Sequence, residues 1–149
     1  MKIGLDVMGG DFAPKATILG ACLALNEIPA TDKIVLIGPE EVILNELQQA
    51  GVDPGNFIIV HAPEVIGMGE HPTKAIVQKP QSGIAIGFHL LKEGKIDAFS
   101  SAGNSGAMVV GSMYSVGTTQ GILRPCTSAV VPKENGKISI LLDVGTLPD

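Results

Sequence analysis

The chain has 149 residues, 45% of them hydrophobic and 17% charged, with 19 glycines and a formal net charge of −5. That length suits a single domain with a single core, and the composition excludes disordered, collagen-like and disulfide-rich classes. The acidic balance, with no cluster of Lys or Arg, argues against a nucleic-acid surface.

In chain order, Lys2–Val7 is a short apolar run that stops at Met8-Gly9-Gly10-Asp11. It reads as a buried strand entering a turn. Pro14 suits a first helical turn, and Ile18, Ala21, Cys22 and Leu25 then recur on one helical face. Lys33–Ile37 is a second strand, closed by Gly38-Pro39. Glu40–Ala50 reads as an amphipathic helix with acidic residues in its first turn and Gly51 at its C-terminal cap. Phe57–Val60 is a third strand. Residues 61–72 are too irregular for an element, and Ser82–Leu91 is helical with its stop near Glu93-Gly94. Ile96–Phe99 is a fourth strand, and Ala107–Val116 a further helix. Thr127–Val131 and Ile138–Val144 are strands joined by a Glu-Asn-Gly hairpin turn. The whole predicts an α/β, three-layer sandwich with a mostly parallel sheet plus an antiparallel element.

Other boundaries follow from what is absent. Aromatics are 3% and Trp is missing, so the core is aliphatic. No apolar run reaches the ~18–20 residues of a membrane span. With Cys22 and Cys126 far apart, a reducing, cytoplasmic setting is expected. The last apolar strand leads into Gly145–Asp149 without the helix an α/β pattern calls for, so the chain is expected to be the N-terminal part of a longer enzyme. As an isolated piece it is expected to be inactive and poorly soluble.

Ligands of α/β sheets bind outside the carboxyl ends of the strands. Four polar, Gly-rich turns follow strand candidates here: 8–11, 61–72, 100–106 and 143–149. Parallel strands would bring them to one crevice. In Ser100–Ala107, small residues lie between a strand and a helix. The turn is either a cradle in which free helix N–H groups meet an anion, with Ser101, Gly103, Asn104, Ser105 and Gly106 around it, or a plain turn with an Asn or Ser cap. Asp6 and Asp143 are acids inside apolar strands, and each either holds adjacent loops or touches a ligand. Gly9 and Gly10 either admit a phosphate to the backbone or supply positive φ.

His71, beside Glu70, is a general acid, an anion ligand or a surface histidine. Lys74 and Lys79 are either point donors to a phosphate or solvated. Ser82 caps the next helix or helps its N-terminus hold an anion. Arg124, the single arginine, is an anion partner or a surface ion pair. No Walker loop, Gly-x-Gly-x-x-Gly fingerprint, Gly-x-Ser-x-Gly elbow or Cys/His metal cluster occurs.

Several motifs, in order, resemble one family. Gly4-Leu5-Asp6-Val7-Met8-Gly9-Gly10-Asp11 with Ala13-Pro14 is similar to the opening of the PlsX-type phosphate acyltransferases of bacterial phospholipid synthesis. Gly69-Glu70 with Pro72, Gln78-Lys79, Ser101-Ala102-Gly103-Asn104 with Gly106-Ala107, Arg124-Pro125 and Leu141-Leu142-Asp143-Val144-Gly145 continue the likeness along the whole chain. The sequence departs from the family pattern at Ser105 (usually Thr), at Gly83 (usually Ser) and at Thr146-Leu147 (usually Ala-Asn).

The resemblance implies an isocitrate/isopropylmalate dehydrogenase-like fold and transfer of a long acyl group from acyl carrier protein to inorganic phosphate, with no cofactor and no metal. It also implies a homodimer when full length, and peripheral membrane association through a part absent here. On that reading Asn104, His71 and Lys79 are the catalytic candidates. Asp6, Gly9, Gly10, Ser82, Ser101, Gly103, Ser105, Gly106, Arg124 and Asp143 are the phosphate- and substrate-binding candidates. The alternatives are a non-catalytic phosphate-binding fragment and a short-chain enzyme using coenzyme A thioesters.

Overall fold

A computed structural model of the chain describes residues 1–122 and 125–144. Four short strands, β1 (Lys2–Asp6), β2 (Lys33–Gly38), β3 (Ile58–His61) and β4 (Ala98–Ser100), form one parallel sheet in the order β3-β2-β1-β4. β1 is central: Leu5 lies opposite Leu36 on one side and Ser100 on the other. Asp6, the last residue of β1, therefore reaches the carboxyl edge of the sheet between its neighbours.

Five helices cover the sheet: α1 (Lys15–Ala24), α2 (Glu40–Gln49), α3 (Pro72–Gln78), α4 (Gly83–Lys92) and α5 (Ser105–Ser115). The pleat sends alternate residues of β2 to opposite faces. Ile34 and Leu36 pack with Ile18 and Ala21 of α1 and with Ile43 and Leu47 of α2. Val35 and Ile37 pack on the other side with Ala62 and Ile96, joined by Ile86 and Leu90 of α4. This is the expected three-layer sandwich, and it explains why β2 is apolar at every position after Lys33. Each such Ile or Leu contributes about 1.5–3 kcal/mol on full burial.

A further cluster of Ile66, Ala75, Ile84, Phe88 and Ala107 fastens α3 and α5 onto α4. Gly111 is required there, because a Cβ would run into the Phe88 ring. Phe88 in turn meets Phe99 edge-on, with ring centroids 5.2 Å apart.

Several boundaries differ from the sequence expectation for physical reasons. α5 begins at Ser105, two residues earlier than its apolar run, because Asn104 caps it. Ile96 is buried in the approach to β4 rather than within it. Pro14 stands just outside α1 as its N-cap residue, after a cis Ala13–Pro14 peptide. α2 has no cap from its own flank; its Glu40 N–H donates to Nδ1 of His61, 3.2 Å away. No helix among the described residues is long and apolar enough to cross a membrane.

β5 (Ser128–Pro132) and β6 (Ile138–Leu142) pair antiparallel as a separate two-stranded sheet. Their loop closes as predicted. Lys133 N–H donates to the Lys137 carbonyl at 2.8 Å, and Gly136 takes the positive φ of 75° that this loop type requires. The hairpin is unlike the core strands in one respect: Val130, Ile138, Ile140, Leu141 and Leu142 are all more than half exposed.

Candidate active site

Two turns interlock at the carboxyl edge of the sheet. β1 runs into residues 7–11 and β4 into residues 101–104, and the joint between them is Asp6. Its Oδ2 accepts from Ser101 Oγ at 2.7 Å and its Oδ1 from the Met8 N–H at 3.2 Å. Ser101 Oγ then accepts from the Gly103 N–H at 3.0 Å. Asp6 is 4% exposed, and burial raises its pKa above the ordinary 3.8, with the bonds from Ser101 and Met8 opposing that rise.

The turns touch so closely that a Cβ on Gly9 would lie 2.6 Å from Ser101 Oγ and 2.8 Å from the Gly103 nitrogen. Gly9 is thus required by the approach of one turn to the other. Gly10 carries the positive φ, 114°. The Gly9 carbonyl accepts from Thr17 Oγ1 of α1 at 3.3 Å.

The second half of the site is the 62–71 segment, which is irregular in path but firmly tied. Asn104, 5% exposed, uses both ends of its amide. Oδ1 accepts from the Ala107 N–H at 2.9 Å and so caps α5. Nδ2 donates to the carbonyls of Gly67, Met68 and Glu70 at 3.1, 3.3 and 3.0 Å. Glu70 Oε1 accepts from the Gly67 N–H at 2.6 Å and pairs with Lys79 Nζ at 2.5 Å. Lys79 also donates to the Val65 carbonyl at 2.8 Å. The Lys79 ammonium, followed by the Gly67 N–H, holds the Glu70 carboxyl below its ordinary pKa. Glu64 completes the tie by accepting from the Gln81 N–H at 2.8 Å.

These bonds give several of the candidate residues a structural role. Asp6 holds adjacent loops. Ser82 is fully buried and caps α4, its Oγ donating to the Lys79 carbonyl at 2.7 Å and accepting from the Ala85 N–H at 3.3 Å. Lys79 is engaged by Glu70 and Val65, and the Asn104 amide by the 67–70 carbonyls, so both side chains shape the site. Gly106 lies against Pro72 at the start of α3, leaving no space for a Cβ.

The donors left over at the site are backbone groups. The N–H groups of Ala102, Ser105 and Gly106 have no acceptor among the described residues, and the last two open the positive end of α5. Ser105, the first residue of α5, and His71, the residue that precedes α3, are both exposed.

Two expectations are corrected or fall outside the described residues. Asp143 is not at the carboxyl end of a parallel strand: it follows β6 of the separate hairpin, exposed and at φ 59°, with its N–H donating to the Thr127 carbonyl at 2.8 Å. The turns after β1, β3 and β4 lie on the parallel sheet as predicted, whereas Asp143 belongs to the hairpin. Arg124 and residues 145–149 lie outside the described residues. Among the described residues no three His, Cys, Asp or Glu side chains gather as a metal-binding group.

The sequence reading missed the Glu70–Lys79 clamp and the Thr17 contact, which join residues at spacings that carry no periodic signal. It also missed why Gly83 is glycine. At the start of α4 its Cβ would strike Asp6 Oδ1, so the usual Ser of the related pattern does not fit this carboxylate position.

A parallel sheet with interlocked turns and helix N-termini at its carboxyl edge is the arrangement of α/β enzymes that bind anions there. The model of the family described as "Fatty acid synthesis protein" matches residues 1–148, and the chain belongs to that family. Phosphate acyltransferases of Brevibacillus brevis and Desulforamulus reducens are 41% and 44% identical to it, over 149 and 150 aligned residues. Each match takes in 100% of this chain and 44% of the relative, so the chain spans less than half the length of these relatives. Among solved structures, the EutD phosphotransacetylase from Staphylococcus aureus superposes with a TM-score of 0.62 at 17% identity, covering 100% of this chain and 47% of that one. That likeness concerns the fold.

Proposed function

We propose that this chain supplies the phosphate-binding half of an enzyme that moves a long-chain acyl group from acyl carrier protein to inorganic phosphate. The observation that carries the reading is that the N–H groups of Ala102, Ser105 and Gly106 have no acceptor among the described residues, beside the hydrogen-bonded side chains of Ser101 and Asn104. Membership of a family with phosphate acyltransferase relatives supports the reaction class.

In the reaction, a phosphate oxygen attacks the thioester carbonyl carbon. A C–O bond forms and the carbonyl oxygen becomes an oxyanion. Collapse of that intermediate breaks the C–S bond, and the thiolate leaves with a proton. Phosphate dianion is nucleophilic near neutral pH, so the site's tasks are to hold it beside the carbonyl and to donate hydrogen bonds to the oxyanion. Fixed backbone donors suit both tasks because they need no reorganisation. His71, exposed at the start of α3, is the proton donor to the thiolate in this scheme. Arg124 is the charge partner, and Asn104 and Lys79 act by fixing the loop. The full enzyme works as a homodimer in the cytoplasm, at the membrane surface.

The test replaces the matching stretch of the Brevibacillus brevis phosphate acyltransferase with residues 1–149 of this chain and traps acyl phosphate with hydroxylamine. The reading expects hydroxamate from acyl-acyl carrier protein and phosphate, and little from acetyl-coenzyme A. A preference for the coenzyme A donor contradicts the carrier and chain-length assignment. A folded chimera that yields none with either donor contradicts the transferase reading.

A further inference from the structure

Beside the candidate phosphate turn lies a cavity of about 720 Å³ between α1 and the β1–β4 side of the sheet. Its size falls within the about 300–1,000 Å³ of small-molecule sites. Its mouth is formed by Gly9, Gly10 and Ala102, residues of the two interlocked turns, and its floor by Ile3, Leu5 and Ile34 of the sheet. The roof is Ala13 and the face of α1 from Ala16 to Ala24, a helical stretch that at 1.5 Å per residue is about 12 Å long. At its mid-point Gly20 faces open space, with no atom within 4 Å of where its Cβ would stand. Phe12 and Met68, 81% and 59% exposed, flank the entrance.

We infer that this slot holds the hydrocarbon chain of the acyl group, with the carbonyl carbon at the Gly9–Ala102 mouth and the methyl end toward Ile28 and Ile34. The inference rests on the transferase reading above for the identity of the chain, and on the cavity for its location. A thioester carbonyl held at the turn must send its hydrocarbon tail somewhere, and this apolar opening shares its lining residues with that turn. An elongated slot with an apolar wall on each side and its polar groups at one end matches a fatty acyl tail better than a compact or charged ligand.

The experiment titrates the 149-residue chain with cis-parinaric acid, a long conjugated fatty acid whose fluorescence rises on leaving water, and in parallel follows amide shifts on adding inorganic phosphate. Gly20→Leu places a side chain across the slot without touching the turn, and in a helix Leu is favoured over Gly, so lost binding would not report unfolding. Ala24→Leu blocks only the far end. The proposal expects saturable parinarate binding and a loss of about tenfold or more in Gly20→Leu, as befits several methylenes returned to water. Ala24→Leu should cost less, and both variants should keep the phosphate response.

Equal parinarate affinity in the native chain and Gly20→Leu overturns it. So does a chain that binds no parinarate, or one whose slot is covered by a second copy, seen as a dimer that Gly20→Leu dissociates. Lost phosphate response with Gly20-sensitive parinarate binding retained would sink the transferase reading and leave the apolar slot standing.

Discussion

The two halves of the site hold their carboxylates in opposite ways. Asp6 sits in the sheet, buried, bonded to Ser101 and Met8 with no cation in contact among the described residues, and its pKa is raised by burial. Glu70 sits on an open loop, paired with Lys79, and its pKa is lowered by that contact. The first half is a packed joint that fixes the geometry of two turns. The second is an electrostatic clasp around a loop anchored in the core by Ala62 and Ile66. The difference teaches where the site is rigid by packing and where it is held by a few polar bonds.

Asn104 bridges the two halves, so its loss should show most. Asn104→Ala removes a cap and frees three carbonyls of the clasp. In the chimeric enzyme we expect acyl phosphate formation to fall about a hundredfold, the scale of a small misplacement of reacting groups. Asn104→Asp keeps an oxygen for the Ala107 N–H but loses the donor. It should lose comparable activity and melt below the parent, because a buried carboxylate oxygen then faces the Gly67, Met68 and Glu70 carbonyls. Near-parental turnover in Asn104→Asp would show that the clasp does not position the site.

In the packed half, Ser101→Ala leaves a buried carboxylate oxygen without its donor. Denaturant unfolding should show a loss of about 1.5–3 kcal/mol, the range for hydrogen bonds to charged groups. Gly83→Ser should cost about 1–3 kcal/mol by overpacking against Asp6. A neutral Gly83→Ser would mean that Asp6 can withdraw, and that the joint is looser than drawn.

The opposite pKa directions give opposite slopes in acid. A raised folded pKa means that the Asp6 contribution is fully present below about 3.8 and is lost as pH rises through the folded value. A lowered one means that the Glu70 contribution is present above 4.5 and is lost as pH falls through the folded value. Asp6→Asn should therefore remove a loss of stability on raising the pH. Glu70→Gln should remove an acid-induced opening of residues 62–71, read by amide exchange of that segment. Identical pH profiles in both variants would contradict the contrast. The smallest expected effect is that of Lys79→Met at neutral pH, because exposed ion pairs are weak; a faster exchange confined to residues 65–70 is what should be seen.

Much of this was legible in sequence wherever the signal was local. Continuous apolar runs marked Lys2–Val7 and Lys33–Ile37 because both faces of a parallel sheet are covered. A short polar residue before an apolar run marked the Asn104 cap. What was not legible depends on distant residues meeting: Asn104 Nδ2 on the 67–70 carbonyls, Glu70 on Lys79, His61 on the start of α2. None has a fixed spacing. The sequence also offered Asp143 as an equal of Asp6, since both end apolar strands. Only pairing partners distinguish them, and β6 pairs with β5 outside the parallel sheet.

The central claim is that phosphate meets the backbone at the turn before α5. Titrating the isotopically labelled chain with inorganic phosphate and recording amide shifts tests it. The account predicts that Ala102, Ser105 and Gly106 move together and saturate, while the hairpin amides of Ser128–Pro132 stay still. Saturable shifts elsewhere with those three unmoved would contradict it.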